Sequence, residues 1–77
     1  MNIKILGAGC PNCQTLEKRV RRVVEKHKIE AEISKVEEIT DIISYGVMVT
    51  PALVINEVVV SKGRLPKEQE ILEFIKN

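Results

Sequence analysis

The sequence predicts an α/β fold in which three helices cover a mixed four-stranded sheet, in the order βαβαββα. Apolar residues switch repeatedly between the two-residue spacing of strands and the three-to-four-residue spacing of helices. The last two strand-like runs are separated only by Asn56 and Glu57, and so short a link makes that pair antiparallel. Strands joined by a helix pair in parallel when they are neighbours, so the sheet contains both orientations.

Length and composition limit what the protein can be. A chain of 77 residues, 44% hydrophobic and 30% charged, has one core at most, so we expect a single domain over residues 1–77. The 12 Lys and Arg residues nearly balance the 11 Asp and Glu residues, which argues against a dedicated nucleic-acid binder. No apolar run approaches the ~20 residues of a membrane span, and the N-terminus has no export signal. We therefore expect a cytoplasmic monomer without membrane or nucleic-acid partners.

The first strand is predicted at residues 2–6, where aliphatic residues run up to the turn Gly7-Ala8-Gly9. Pro11 suits the first turn of the following helix, because that position needs no intrahelical N–H. This helix is predicted to run for about four turns, with an apolar stripe comprising Cys13, Leu16, Val20, Val23, Val24 and His27. Its other face is basic, and we interpret that face as solvated.

A second strand and a second helix are predicted next. Ile29, Ala31 and Ile33 alternate with polar residues, which indicates a strand with one face in water. The second helix is predicted to end at Gly46, and its apolar residues at helical spacing are Val36, Ile39, Ile42 and Ile43.

A hairpin and a third helix complete the predicted fold. The hairpin strands are residues 52–55 and 58–61. Asn56 tolerates the left-handed conformation of a two-residue turn and Glu57 does so poorly, so the turn is either strained or of another type. Pro66 suits the first position of the last helix, whose apolar side comprises Ile71, Leu72, Phe74 and Ile75.

The chain has two cysteines, Cys10 and Cys13. A bond between them would close a loop of about four residues and stabilise the fold by only ~2 kcal/mol on the loop-entropy model. The pair is therefore better explained by chemistry than by structural stability. In the cytoplasm, where thiols are mostly reduced, the spacing C-x-x-C indicates redox catalysis or metal binding.

The position of the pair favours redox catalysis, because it follows the first strand and opens a helix. Cys10 is predicted at the N-cap of that helix, where unpaired N–H groups and the helix dipole lower the pKa of its thiol, so Cys10 is the predicted nucleophile. Cys13 lies one turn further on, on the buried stripe, and is predicted to resolve mixed disulfides. Pro11 and Asn12 set the winding of the first turn, so we expect them to tune the reduction potential.

Two segments carry a resemblance to a known family, Gly7-Ala8-Gly9-Cys10-Pro11-Asn12-Cys13 and residues 45–56 around Thr50-Pro51. They resemble the thioredoxin superfamily and, more narrowly, the redox-active disulfide protein 2 family, over nearly the whole chain. The resemblance implies a thioredoxin-like fold in which Pro51 is a cis-proline facing the cysteines and Thr50 contacts an extended substrate segment. Gly63 resembles the glycine that glutaredoxins use near their glutathione site.

The same resemblance implies a function. The implied protein is a small thiol–disulfide oxidoreductase, which exchanges electrons with protein or small-molecule disulfides through Cys10 and Cys13. A disulfide reductase would be the electron donor, and neither a cofactor nor a metal is expected.

The alternative is a soft-metal carrier of the ferredoxin-like type. Such a carrier also places C-x-x-C before its first helix and would bind a copper-type ion through Cys10 and Cys13. It predicts that the chain ends with a strand. The apolar spacing after Pro66 indicates a helix instead, so we favour the oxidoreductase.

Overall fold

The computed structural model describes residues 1–76. It contains the predicted elements in the predicted order: β1 Asn2–Leu6, α1 Pro11–Lys26, β2 Glu32–Val36, α2 Ile39–Ser44, β3 Ala52–Ile55, β4 Val58–Lys62 and α3 Glu68–Lys76. No helix among residues 1–76 combines the length and the apolar character that a bilayer span requires.

The sheet is mixed, as predicted, with the strand order β2-β1-β3-β4. β1 pairs with β2 in parallel, and β3 is antiparallel to both β1 and β4. The β3–β4 hairpin turns through Asn56 and Glu57, whose φ angles are 50° and 68°. Both residues therefore adopt the left-handed conformation that two-residue hairpin turns of type I′ require.

The helices bury a different core on each face of the sheet. α1 and α3 pack together on one face, where the buried residues are Ile3, Ile5, Leu16, Val20, Val23, Leu53, Ile55, Ile71 and Ile75. α2 lies on the other face, where the buried residues are Leu6, Ile42, Val47, Ala52 and Val54. Alternate residues of β3 thus point to opposite cores, which is why that strand is apolar throughout. β1 contributes Ile3 and Ile5 to one core and Leu6 to the other.

The prediction for β2 was wrong at both ends. The strand begins at Glu32, so Ile29 and Ala31 precede it and pack against the α1 core from a loop. Val36 was assigned to the second helix, but it ends β2 and is aligned with Leu6 of β1. Its carbonyl also accepts a 2.9 Å hydrogen bond from Gly7 N. Ladder hydrogen bonding extends the strand to Val36, although the spacing of this valine also fits a helix.

Most side chains of the predicted apolar stripe of α2 are exposed to solvent. Ile42 is buried, whereas Ile39 and Ile43 are 69% and 49% exposed. A helix of 6 residues makes fewer than about two turns, so it brings little more than one side chain to the sheet. Gly46 does follow the end of the helix with a φ of 77°.

Helix ends account for two further corrections. His27 is exposed and caps the C-terminus of α1 rather than extending its buried stripe. Pro66 is buried but precedes α3, which begins at Glu68. The carbonyl of Pro66 accepts a 2.9 Å hydrogen bond from Arg19, and Glu70 accepts one of 3.2 Å from Lys67 N. These contacts satisfy the backbone just before α3 without a further helical turn.

A polar cluster joins β1 to the hairpin turn. Lys4 Nζ donates to Tyr45 Oη at 2.8 Å and to Glu57 Oε1 at 2.7 Å. The hydrogen bond from Lys4 and then that from Tyr45 lower the pKa of Glu57. The hydrogen bonds to Glu57 and then to Tyr45 raise the pKa of Lys4. From this left-handed position Glu57 makes side-chain contacts that a glycine could not make.

We expect Glu57→Gln to reduce the dependence of stability on acid pH. A lowered carboxyl pKa contributes stability above the unfolded-state value, and this contribution is lost as the pH falls through the folded-state value. The free energies of unfolding of the variant and the wild type should thus differ more at about pH 7 than at about pH 3. Denaturant titrations at both pH values, with Glu73→Gln as an exposed control, measure the difference. A difference that does not change with pH would contradict this interpretation.

Candidate active site

Cys10 occupies the N-cap position of α1, as predicted, with extended backbone angles of φ −72° and ψ 156°. Its Sγ accepts a hydrogen bond from the backbone N–H of Cys13 at 3.1 Å. Pro11 starts the helix, and the first turn contains no acidic side chain. The positive end of the α1 dipole therefore acts on Cys10 Sγ without a carboxylate in the same turn to oppose it.

Cys10 and Cys13 are joined by a disulfide and differ in exposure. Cys13 is only 4% exposed, whereas Cys10 is half-buried. Solvent and substrates thus reach Cys10 more easily than Cys13.

Gly7 makes room for the buried sulfur. A Cβ built on Gly7 would overlap Cys13 Sγ and would lie 3.5 Å from Thr50 Cβ. Gly7 N also donates to the carbonyl of Val36 in β2. From the sequence we interpreted Gly7 only as part of a turn. The one available signal was its place three residues before Cys10, at the end of a strand.

The Thr50–Pro51 peptide bond is cis, as the resemblance implies. Thr50 is exposed, and Pro51, which immediately precedes β3, is buried. All predicted site residues except Cys13 line one open cavity of about 320 Å³: Cys10, Pro11, Asn12, Thr50 and Pro51. Two segments that are far apart in sequence therefore meet at the exposed sulfur.

Gly63 supports the segment that carries the cis-proline. Its N–H donates to the carbonyl of Pro51 at 3.0 Å. Its φ is 72°, and a Cβ at this position would lie 2.9 Å from Val49 Cγ2. A side chain there would therefore push against the segment 49–51.

Two exposed apolar residues precede the cavity residue Thr50 in the chain. Met48 and Val49, which precede Thr50, are 82% and 53% exposed. A larger cavity of about 660 Å³ lies at the other end of β1, and Met1, Asn2 and Asn56 are among the residues that line it. It contains no cysteine, and attack on a disulfide needs an accessible sulfur rather than a large enclosure, so we place the site at Cys10.

The last described element is the helix α3, whereas a ferredoxin-like metal carrier would end on a strand. The apolar spacing after Pro66 predicted this helix, which the metal-carrier interpretation does not fit.

Comparisons with known proteins agree with this geometry. A family model described as thioredoxin domain matches residues 1–76. A thioredoxin of Methanocaldococcus jannaschii is 39% identical over 75 residues, covering 97% of this chain and 86% of that protein. A thioredoxin of Methanothermobacter thermautotrophicus is 36% identical over 75 residues, covering 97% of both.

A solved structure shows the same fold. It is thioredoxin 1 from Thermosipho africanus TCF52B, with a TM-score of 0.69 and 18% identity, covering 99% of this chain and 91% of that one. The family match and the two relatives extend the similarity from fold to activity. The chain therefore belongs to the thioredoxin superfamily and is a small thiol–disulfide oxidoreductase.

Proposed function

We propose that Cys10 is the attacking nucleophile and Cys13 the resolving thiol. The observation that carries this assignment is the N-cap position of Cys10, whose Sγ accepts the N–H of Cys13. In the reduced protein, this hydrogen bond and the helix dipole favour the thiolate and lower the pKa of the Cys10 thiol. Cys13 is shielded from solvent, so a substrate disulfide reaches Cys10 before Cys13.

The exchange follows from these positions. The Cys10 thiolate attacks a substrate disulfide, forms a mixed disulfide and releases one substrate thiolate. Cys13 then loses its proton and attacks Cys10 Sγ, and the bond to the substrate breaks with its electron pair leaving on the second substrate thiolate. The products are the Cys10–Cys13 disulfide and a reduced substrate. The reverse sequence oxidises a dithiol.

The other lining residues have supporting roles in this proposal. Thr50 and Pro51 contact an extended substrate segment, because they line the same cavity as Cys10. Pro11 and Asn12 shape the first turn of α1 and tune the reduction potential. The exposed side chain of Met48 adds apolar contact area beside them.

The partners in this proposal are a disulfide-containing protein or small molecule and a disulfide reductase that returns the electrons. The chain acts as a single thioredoxin-like domain and as a cytoplasmic monomer. Within the superfamily we place it in the redox-active disulfide protein 2 family, on the motif from Gly7 to Cys13.

Alkylation of the reduced protein tests the assignment. We expect iodoacetamide to modify Cys10 at least about tenfold faster than Cys13 near pH 7, because only the thiolate reacts and Cys13 is buried. The rate at Cys10 should titrate at lower pH than that of a free cysteine. Mass spectrometry identifies the modified residue. Equal rates at both cysteines, or a Cys10 that titrates like a free thiol, would refute the assignment.

A further inference from the structure

Lys62 ends β4 beside the active-site cavity. It is aligned with Ala52 of β3, which directly follows the cavity residue Pro51. The next residue in the chain, Gly63, donates its N–H to the carbonyl of Pro51 at 3.0 Å. Neighbouring strands of a sheet lie about 5 Å apart. The backbone of Lys62 therefore lies one strand spacing from the segment that carries the cis-proline.

The side chain of Lys62 is exposed on the α2 face of the sheet. Aligned residues in paired strands point to the same face, and Ala52 belongs to the core under α2. Val49, which is also exposed, lies next to Gly63 and hence beside the end of β4. A substrate segment that contacts Thr50 thus meets an apolar side chain and then an ammonium group on this side of the cavity.

Lys62 has no ion-pair partner among residues 1–76. The other cation at this end of β4 is Arg64, and it donates to both carboxylate oxygens of Glu70, at 3.3 and 2.8 Å. The carboxylate of Glu57 lies at the far end of β4, where it pairs with Lys4. Within the described part of the chain, the ammonium group of Lys62 is therefore available to a carboxylate on a bound molecule.

The opposite side of the site carries the opposite charge. Val36 ends β2 and is aligned with Leu6, which is in turn aligned with Ala52. Glu37 and Glu38 follow Val36, are exposed, and form no salt bridge within residues 1–76. One row across the sheet thus ends near an ammonium group on one side and two carboxylates on the other, with both segments of the site between them.

This arrangement favours substrates with one charge pattern. Given that Thr50 and Pro51 contact an extended substrate segment, on which this inference rests, we propose that Lys62 is a specificity-determining residue. It selects disulfides whose polypeptide segment has a carboxylate on the β4 side of the reacting cysteine. Two residues of extended chain span about 7 Å, and the flexible four-carbon stem of lysine adjusts to a carboxylate at that distance. A carboxylate on the other side is repelled by Glu37 and Glu38.

Two isomeric peptides measure this preference. Each is a capped peptide of five residues with a central cysteine, used as its disulfide-linked dimer. One isomer begins with glutamate and ends with glutamine, and the other has these two residues exchanged, so composition and net charge are identical. Reduced protein is mixed with excess peptide disulfide, the reaction is quenched with acid, and chromatography measures the released peptide thiol.

With the wild type, we expect one isomer to react about two- to fivefold faster than the other at low salt, which is the range for an exposed ion pair. The ratio of the two rates should fall to within about 1.5-fold in 1 M salt, where such pairs are screened. Lys62→Gln should lower the low-salt ratio by about twofold or more, and Lys62→Glu should reverse it. An effect on the fold or on Cys10 would slow both isomers alike, so the ratio isolates the contact.

Lys26→Gln is the matched control. It removes the same charge at the other end of α1, far from Cys10, and should leave the ratio as in the wild type. Equal rates of the two isomers with the wild type, or a ratio that Lys62→Glu leaves unchanged, would overturn the proposal. The uncharged bis(2-hydroxyethyl) disulfide separates this outcome from a failure of the exchange itself, because a wild type that does not reduce it would refute the proposed function.

Discussion

Replacing Cys10 with serine is expected to reduce turnover of a protein disulfide such as that of insulin by at least ~10³-fold. A serine hydroxyl stays protonated at neutral pH, and the α1 N-terminus cannot convert it into a useful nucleophile. Insulin reduction with a chemical reductant as electron donor measures the effect. Cys13, although still present, is 4% exposed in the oxidised structure and should not substitute for Cys10.

The control experiment for Cys10→Ser measures whether the variant is as stable as the wild type. Removing either cysteine also removes the disulfide, so the variant is compared with the reduced wild type, from which the ~2 kcal/mol of loop closure is absent. Matching denaturant unfolding curves show that the fold is retained. If Cys10→Ser turned over insulin at a rate within about tenfold of the wild type, Cys10 would not be the attacking group.

The largest expected loss of stability is that of Leu16→Ala. Leu16 is fully buried in the core that α1 and α3 form with the sheet, one turn after Cys13. Truncation of a buried leucine costs about 2–5 kcal/mol through lost transfer energy and the cavity left behind. Domains of this size have about 4–12 kcal/mol in total, so the variant is expected to be close to unfolding. Chemical denaturation monitored by circular dichroism measures the difference.

Ile39→Ala is the matched control. It removes a similar side chain from α2, where Ile39 is 69% exposed. We expect a change within about 0.5 kcal/mol, as for most surface substitutions. Equal destabilisation by the two variants would mean that α2 buries Ile39, and that the α1 core does not dominate stability.

The sequence predicted some elements to the residue and others only approximately, and the difference has a physical cause. β1 and β3 match their predicted bounds, and β4 runs one residue further, to Lys62. All three have apolar residues bounded by turn residues, so few competing structures fit them. Val36 fits both a strand and a helix, and only its pairing with Leu6 decides between them. Likewise, the helical spacing of Ile39 and Ile43 does not reveal that a helix of only 6 residues leaves both side chains exposed to solvent.

Some features of the site could also be predicted from the sequence, and others could not. C-x-x-C at a helix start predicts Cys10 at the N-cap, and the resemblance implies the cis peptide at Thr50–Pro51; both are observed. Gly7 could not be predicted as a site residue, because its importance lies in contacts across the fold. The overlap that a Cβ on Gly7 would have with Cys13 Sγ depends on where β1 ends relative to α1.

The division of roles between the two cysteines is tested most directly by trapping the mixed disulfide. Reduced Cys13→Ser protein, mixed with insulin, should give a one-to-one adduct whose mass and peptide map place the bond at Cys10, because the resolving thiol is missing. Reduced Cys10→Ser protein should give no adduct under the same conditions. The absence of an adduct with Cys13→Ser, or an equally rapid adduct through Cys13 in Cys10→Ser, would contradict the mechanism.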